Sequence, residues 1–231
     1  MPPLIAQVAK RLLLPVTVLF GVMVGLGLLA TRVVDHAWPL TVEDDVNRTL
    51  EAHRAAPLNV VSEIASLIGS TPVIIAVTGV AAFLLHVKLR RWREPIYLCL
   101  AVIAQALVFF LTTLVIDRAR PGVHRMDDSP PTSSFPSGHT SAAVALYVGL
   151  ALVLFTLLHR PWAKRLVWLL VLVPVAVALA RLYRGMHHPT DVIASFLNGV
   201  SCVLIMARAV LDRAVGWAVP ARLSGVRLKA S

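Results

Sequence analysis

Cysteine and lysine are scarce in this chain, and charge of either sign is thin. The two cysteines, Cys99 and Cys202, both lie inside apolar runs, where a thiol behaves as a small hydrophobe. They give no disulfide framework and no cysteine-ligated metal site. Charged residues make up 15% of the 231 positions against 58% hydrophobic ones, and the mean hydropathy is +0.78. A soluble globular domain does not have that balance. No repeat, low-complexity tract or second domain is visible, so a single membrane-embedded domain over residues 1–231 is expected, with a basic tail from about 209 to 231. The net charge of +10 would suit nucleic acid only if it formed a basic face on a soluble fold. Here the cations fill the gaps between apolar runs, and nucleic acid is set aside as a partner.

What the chain does have is a series of long apolar stretches. A hydrocarbon core about 30 Å thick needs roughly 20 residues of helix. Twenty residues between Arg11 and Arg32, 24 between Glu63 and Lys88, and 22 between Glu94 and Asp117 are free of Asp, Glu, Lys and Arg, as are the 19 from Thr140 to Leu158. Leu166 to Ala180 and Val192 to Ala207 hold only 15 and 16 such residues, so their helices must continue past Arg181 and back toward Asp191. The expected fold is all-α, a polytopic membrane protein with six transmembrane helices. The first is long for a cleaved signal and no small-residue cleavage pattern follows it, so it is expected to remain.

Six alternating helices put 14 of the 22 Lys and Arg on one side with only Glu94 and Asp212, a net +12, and leave −2 on the other. The positive-inside rule then predicts cytoplasmic termini. The excess of arginine over lysine, 18 to 4, fits a GC-rich bacterial genome. In the first outer loop, Thr41 stands three residues before Asp44, and Val46 and Leu50 are four apart. That spacing predicts a short interfacial helix with a capping-box start. Pro72 in "GSTP" is expected to kink or interrupt the second span.

Three clusters fall on the outer side. "DRARPGVHR", Asp117 to Arg125, is rich in arginine. "PSGH", Pro136 to His139, opens the fourth span, with Ser137 an N-cap candidate and Gly138 sparing space for a ligand to approach the backbone. Such a helix start is a ready phosphate site. "ARLYRGMHHPTD", Ala180 to Asp191, joins the last two spans. Its spacing puts the Asp191 carboxylate in reach of the His187 ring, the orienting logic of a nucleophilic pair. Arg118, Arg120, Arg181 and Arg184 together suit a tetrahedral anion.

These motifs resemble the signature of the type-2 phosphatidic acid phosphatases, which are integral-membrane lipid phosphate phosphatases. That family's pattern is Lys-x6-Arg-Pro, then Pro-Ser-Gly-His, then Ser-Arg-x5-His-x3-Asp. Here it reads Arg120-Pro121, then Pro136-Ser137-Gly138-His139, then Arg181-x5-His187-x3-Asp191, with Thr113 at the lysine position and Ala180 at the serine position. The resemblance implies that His187 attacks phosphorus, Asp191 orients it, and His139 protonates the leaving alkoxide. Arg120, Arg181, Ser137 and the Gly138 N–H would hold the phosphate, and no metal or other cofactor is implied. Arg118 is expected to supply the charge lost at Thr113. The substrate class would be a lipid phosphate or diphosphate in the bilayer, at the extracytoplasmic leaflet. A metallohydrolase using His139, His187, His188 and Asp191 is disfavoured by the crowd of arginines, and a non-enzymatic relative by the retained histidine pair.

Overall fold

A computed structural model of the chain describes residues 8–33, 42–128 and 132–212. Eight helices account for nearly all of it: α1 Ala9–Arg32, α2 Glu43–Ala52, α3 Ala56–Ile68, α4 Thr71–Leu89, α5 Arg93–Val115, α6 Gly138–Leu157, α7 Pro161–Tyr183 and α8 Pro189–Leu211. All but α2 and α3 are long and apolar enough to cross a membrane, giving the six spans the hydropathy pattern predicts. The basic tail from residue 213 lies outside the described residues.

The second span is interrupted at "GSTP" as expected, and the break leaves the piece before it outside the span. The apolar run after Glu63 does not form one helix: α3 ends at Ile68, and the chain restarts at Thr71 with Pro72 in the first turn of α4. Proline tolerates that position because its missing N–H has no helical partner there. Only α4 is of spanning length, while α3 packs along α7. The corner is tight, since a Cβ on Gly69 would stand 2.7 Å from Val177 and 3.3 Å from the His139 Cβ.

Helix α2 occupies the place predicted for a short interfacial helix. Thr41 lies outside the described residues, and Val42 takes the N-cap position. Three acids, Glu43, Asp44 and Asp45, complement the positive helix start. Glu43 and Asn47 are buried while Val42 and Val46 are exposed. The exposed face also carries Asp44, Asp45 and Arg48, so it mixes apolar and charged side chains as a helix at a membrane surface does.

The core sits around α6, the most enclosed span, which packs against α5, α7 and α8. At Gly199 a Cβ would fall 2.6 Å from the Val144 Cβ, so α8 and α6 touch at backbone range, the close approach that small residues permit between membrane helices. Gly185 ends α7 with φ +70°, and a Cβ there would meet His124 O at 2.9 Å. Glycine alone takes this turn without strain, and the turn delivers His187. The three motif loops meet at one end of the bundle. At the other end Arg11 approaches Asp212 at 3.6 Å and Arg93 Nε donates to Val210 O at 2.9 Å.

Candidate active site

His187 follows the Gly185 turn and is almost wholly buried. Its Nδ1 lies 2.7 Å from the Ser134 carbonyl oxygen. A carbonyl only accepts, so Nδ1 carries the proton and Nε2 keeps its lone pair. Burial first, and then the nearby Arg181 cation, hold the imidazole's pKa down to about 3, against the opposing pull of Asp191. The ring is therefore neutral at pH 7.

The expected His187–Asp191 hydrogen bond is replaced. Asp191 Oδ2 stands 3.9 Å from His187 Nδ1 and instead accepts the His188 backbone N–H at 2.8 Å, the N-cap bond of α8. Its Oδ1 accepts from Arg118 Nη1. The i, i+4 spacing brings carboxylate and ring close, but the first turn of α8 and Arg118 compete for the same oxygens, and the backbone carbonyl of Ser134 wins Nδ1. Asp191 thus acts on His187 through its charge and through the turn it caps.

Arg181 and Arg120 lie near enough to both His139 and His187 for their charges to act on them, so residues from all three motifs are gathered at this end of the bundle. Arg120 is half-buried and anchored through Nη1 to Met186 O at 2.8 Å. Arg181 places Nη1 on Asp127 at 2.6 Å and on Ser66 at 2.8 Å. Its buried Nε has no hydrogen-bond partner among the described residues, an orphan donor suited to an anion. Arg184 Nε also donates to Asp127, at 2.7 Å. Burial raises the Asp127 carboxyl's pKa, but the Arg184 hydrogen bond and the Arg181 charge outweigh it and hold the acid below its ordinary value.

Three further expectations change. Arg118 points to carboxylates rather than to an open anion site: Nη2 meets Glu43 Oε2 at 2.6 Å, and Nη1 meets Asp191 and, at 2.7 Å, Thr190 Oγ1. Two buried carboxylates outcompete a place at the site for this guanidinium. Ser137 is the N-cap of α6, fully buried, with its hydroxyl 3.1 Å from Thr140 Oγ1 and accepting the Thr140 N–H at 3.5 Å. Its side chain is committed to the turn. At Gly138 the space expected for a ligand is filled by Phe109, whose ring a Cβ would meet at 2.9 Å. Thr113, at the usual lysine position, bonds its hydroxyl back to Phe110 O at 2.7 Å and adds no charge to the site.

Several partners lie outside the motifs. Ser195 Oγ accepts the Ser137 N–H and donates to Asp191 O, at 2.7 and 2.6 Å, while Asn198 Nδ2 reaches Ser141 Oγ at 3.4 Å. This polar seam fixes the register of α6 against α8, and hence of His139 against His187. Ser195 and Asn198 recur at helical spacing behind Asp191, a signal the sequence does carry. The Ser134 carbonyl leaves none. Among the described residues no group of three or more His, Cys, Asp or Glu is arranged to hold a metal.

Residues 94–214 match the family model described as the PAP2 superfamily. Undecaprenyl-diphosphatase BcrC of Bacillus subtilis (strain 168) is 28% identical over 112 residues, 47% of this chain and 53% of that one. Phosphatidylglycerophosphatase B of the same organism is 33% identical over 89 residues, 37% of this chain and 42% of that one. The match thus spans about half the length of these relatives, or less. The fold is similar to the crystal structure of a transmembrane PAP2-type phosphatidylglycerolphosphate phosphatase from Bacillus subtilis, with TM-score 0.70 and 20% identity over 86% of this chain and 94% of that one. With more than half of its length inside the family model, and with the family's fold around its paired histidines, the chain belongs to the PAP2 superfamily.

Proposed function

We propose that this protein is a metal-independent phosphatase that hydrolyses a lipid phosphate or diphosphate, with a phosphohistidine intermediate on His187 and its site at the extracytoplasmic leaflet. The observation that supports it most is that the charges of Arg120 and Arg181 reach both histidines, with the Arg181 Nε left as an orphan donor. The His187 Nε2 lone pair attacks the terminal phosphorus as its P–O bond to the leaving group breaks, and that group, a lipid alkoxide from a monophosphate or a lipid phosphate from a diphosphate, takes a proton from His139. Water then attacks the phosphohistidine, its proton passing to His139, and the P–N bond breaks to release phosphate. The arginines stabilise the equatorial oxygens, for which fixed cations are the usual means of lowering such a barrier. The orientation follows from the +12 and −2 split between the two loop sets.

A relative named for undecaprenyl diphosphate and another named for phosphatidylglycerol phosphate bracket the substrate class. Both, like phosphatidic acid, keep their tails in lipid and raise a phosphate to the surface. Purified protein in detergent, given a panel of the three, is expected to release inorganic phosphate from at least one. His187→Ala should abolish that release by a factor on the order of 10⁴ or more, the scale seen when a covalent nucleophile is removed. Turnover surviving in His187→Ala would overturn the assignment.

A further inference from the structure

Glu43 lies on α2, outside the residues that match the family model, yet it is 3% exposed. A buried carboxylate is strongly unfavourable unless it is paired and hydrogen-bonded. Both of its oxygens are used: Oε2 accepts from Arg118 Nη2 and Oε1 accepts the Thr190 backbone N–H, each at 2.6 Å. Thr190 belongs to the first turn of α8, one residue before Asp191. The other arm of Arg118 holds Asp191 Oδ1 and the Thr190 hydroxyl. On the same helix, Asp44 Oδ1 lies 3.6 Å from His188 Nε2. One strand of charged hydrogen bonds therefore runs from α2 through Arg118 and Asp191 to the turn that aims His187.

We infer that Glu43 and Arg118 are positioning residues, which latch α2 onto the first turn of α8 and hold Asp191, and through it the His187 ring, in the attacking orientation. The inference rests on the reading of His187 as nucleophile. Arg118 bridges two carboxylates, so neither is left as an uncompensated buried charge, and Asp191 keeps a fixed direction without a hydrogen bond to the ring. Because Val42 and Val46 turn outward from α2, the latch also ties the seating of this surface helix to the reacting group.

The test compares wild type with Glu43→Gln, which keeps shape but loses the charge that draws Arg118, and with Arg118→Lys and Arg118→Gln. For Glu43→Gln the expected result is a fall in kcat of roughly tenfold or more, the scale at which losing a partner of an oriented histidine is felt. KM should stay within about twofold, the signature of a group that leaves ground-state binding alone. Arg118→Lys should recover part of the kcat that Arg118→Gln loses. Arg48→Ala, on the exposed face of α2, should match wild type. An unchanged kcat in Glu43→Gln, or a fall that only tracks the folded fraction in detergent, would overturn the latch. A wild type inactive on every lipid would instead count against the functional reading. The latch is then decided by the ring ¹⁵N shifts of His187, identified by difference against His187→Ala: they move in Glu43→Gln if the latch orients the ring, and coincide with wild type if it does not.

Discussion

At the end of the bundle that carries His187, the side chains of Arg118, Arg181 and Arg184 are 11%, 5% and 6% exposed. At the opposite end, Arg11 is 41% exposed and pairs with Asp212, itself 46% exposed. The same residue type is thus handled in two ways. An exposed pair is solvated whether or not its partner is present and contributes about 0–1 kcal/mol. A buried guanidinium needs a built set of acceptors, and here Glu43, Asp127, Asp191, Ser62 and Ser66 supply it. Buried polar assemblies of this kind are weak sources of stability but firm sources of geometry, so the contrast marks which end holds the reacting groups.

The sharpest break in that contrast is Asp191→Ala. It leaves Arg118 with Glu43 as its one remaining carboxylate among the described residues and removes the cap of α8, and losing one partner of a buried charged assembly costs about 3–5 kcal/mol. Thermal unfolding in detergent should report a large fall, with phosphate release lost as well. Next comes Gly138→Ala, whose new methyl would press on the Phe109 ring and should cost about 1–3 kcal/mol as overpacking. Phe109→Leu should restore part of it, and no rescue would mean that the glycine serves something other than packing.

A smaller effect sharpens the electrostatic side. Folding and the Arg181 charge disfavour the His187 imidazolium, so the acid limb of kcat/KM that belongs to this ring lies well below the ordinary histidine value of about 6.5. By the same sign, native stability should decline as pH falls below that value, because the unfolded chain then takes up a proton that the folded one refuses. Arg181→Gln removes one cation and should move the limb upward, as pH–rate profiles of the residual activity would show. The smallest effect belongs to the far end: Arg11→Ala, which loses the exposed pair with Asp212, should shift stability by no more than about 1 kcal/mol and leave turnover unchanged.

Much of this was legible without coordinates. Long uncharged runs reported the six spans, because lipid admits almost nothing else. Arg120, His139, Arg181 and His187 were legible by motif spacing, and the charges of the two arginines do reach both histidines. The split of the second span into α3 and α4 was foreshadowed by Gly69 and Pro72, but its extent was not, since the uncharged run continues across both pieces. For Arg118, Ser137 and Gly138 the sequence suggests ligand contacts, while the structure adds partners that it does not show: two carboxylates, an N-cap bond and an aromatic neighbour. Residue type and spacing say what a side chain is able to bind; they do not say which of several buried partners reaches it first. Ser134 contributes only a carbonyl, which every residue has.

The sequence by itself determined the number of apolar helices, the two imidazoles and the guanidinium supply, because hydropathy and chemical type are properties of the chain. Only the tertiary structure decided that Nδ1 of His187 answers to Ser134 rather than to Asp191, and that Glu43 reaches across from α2 to hold Arg118. Those choices are contests between donors and acceptors from segments remote along the chain, settled by distances of a few tenths of an ångström once the helices have packed.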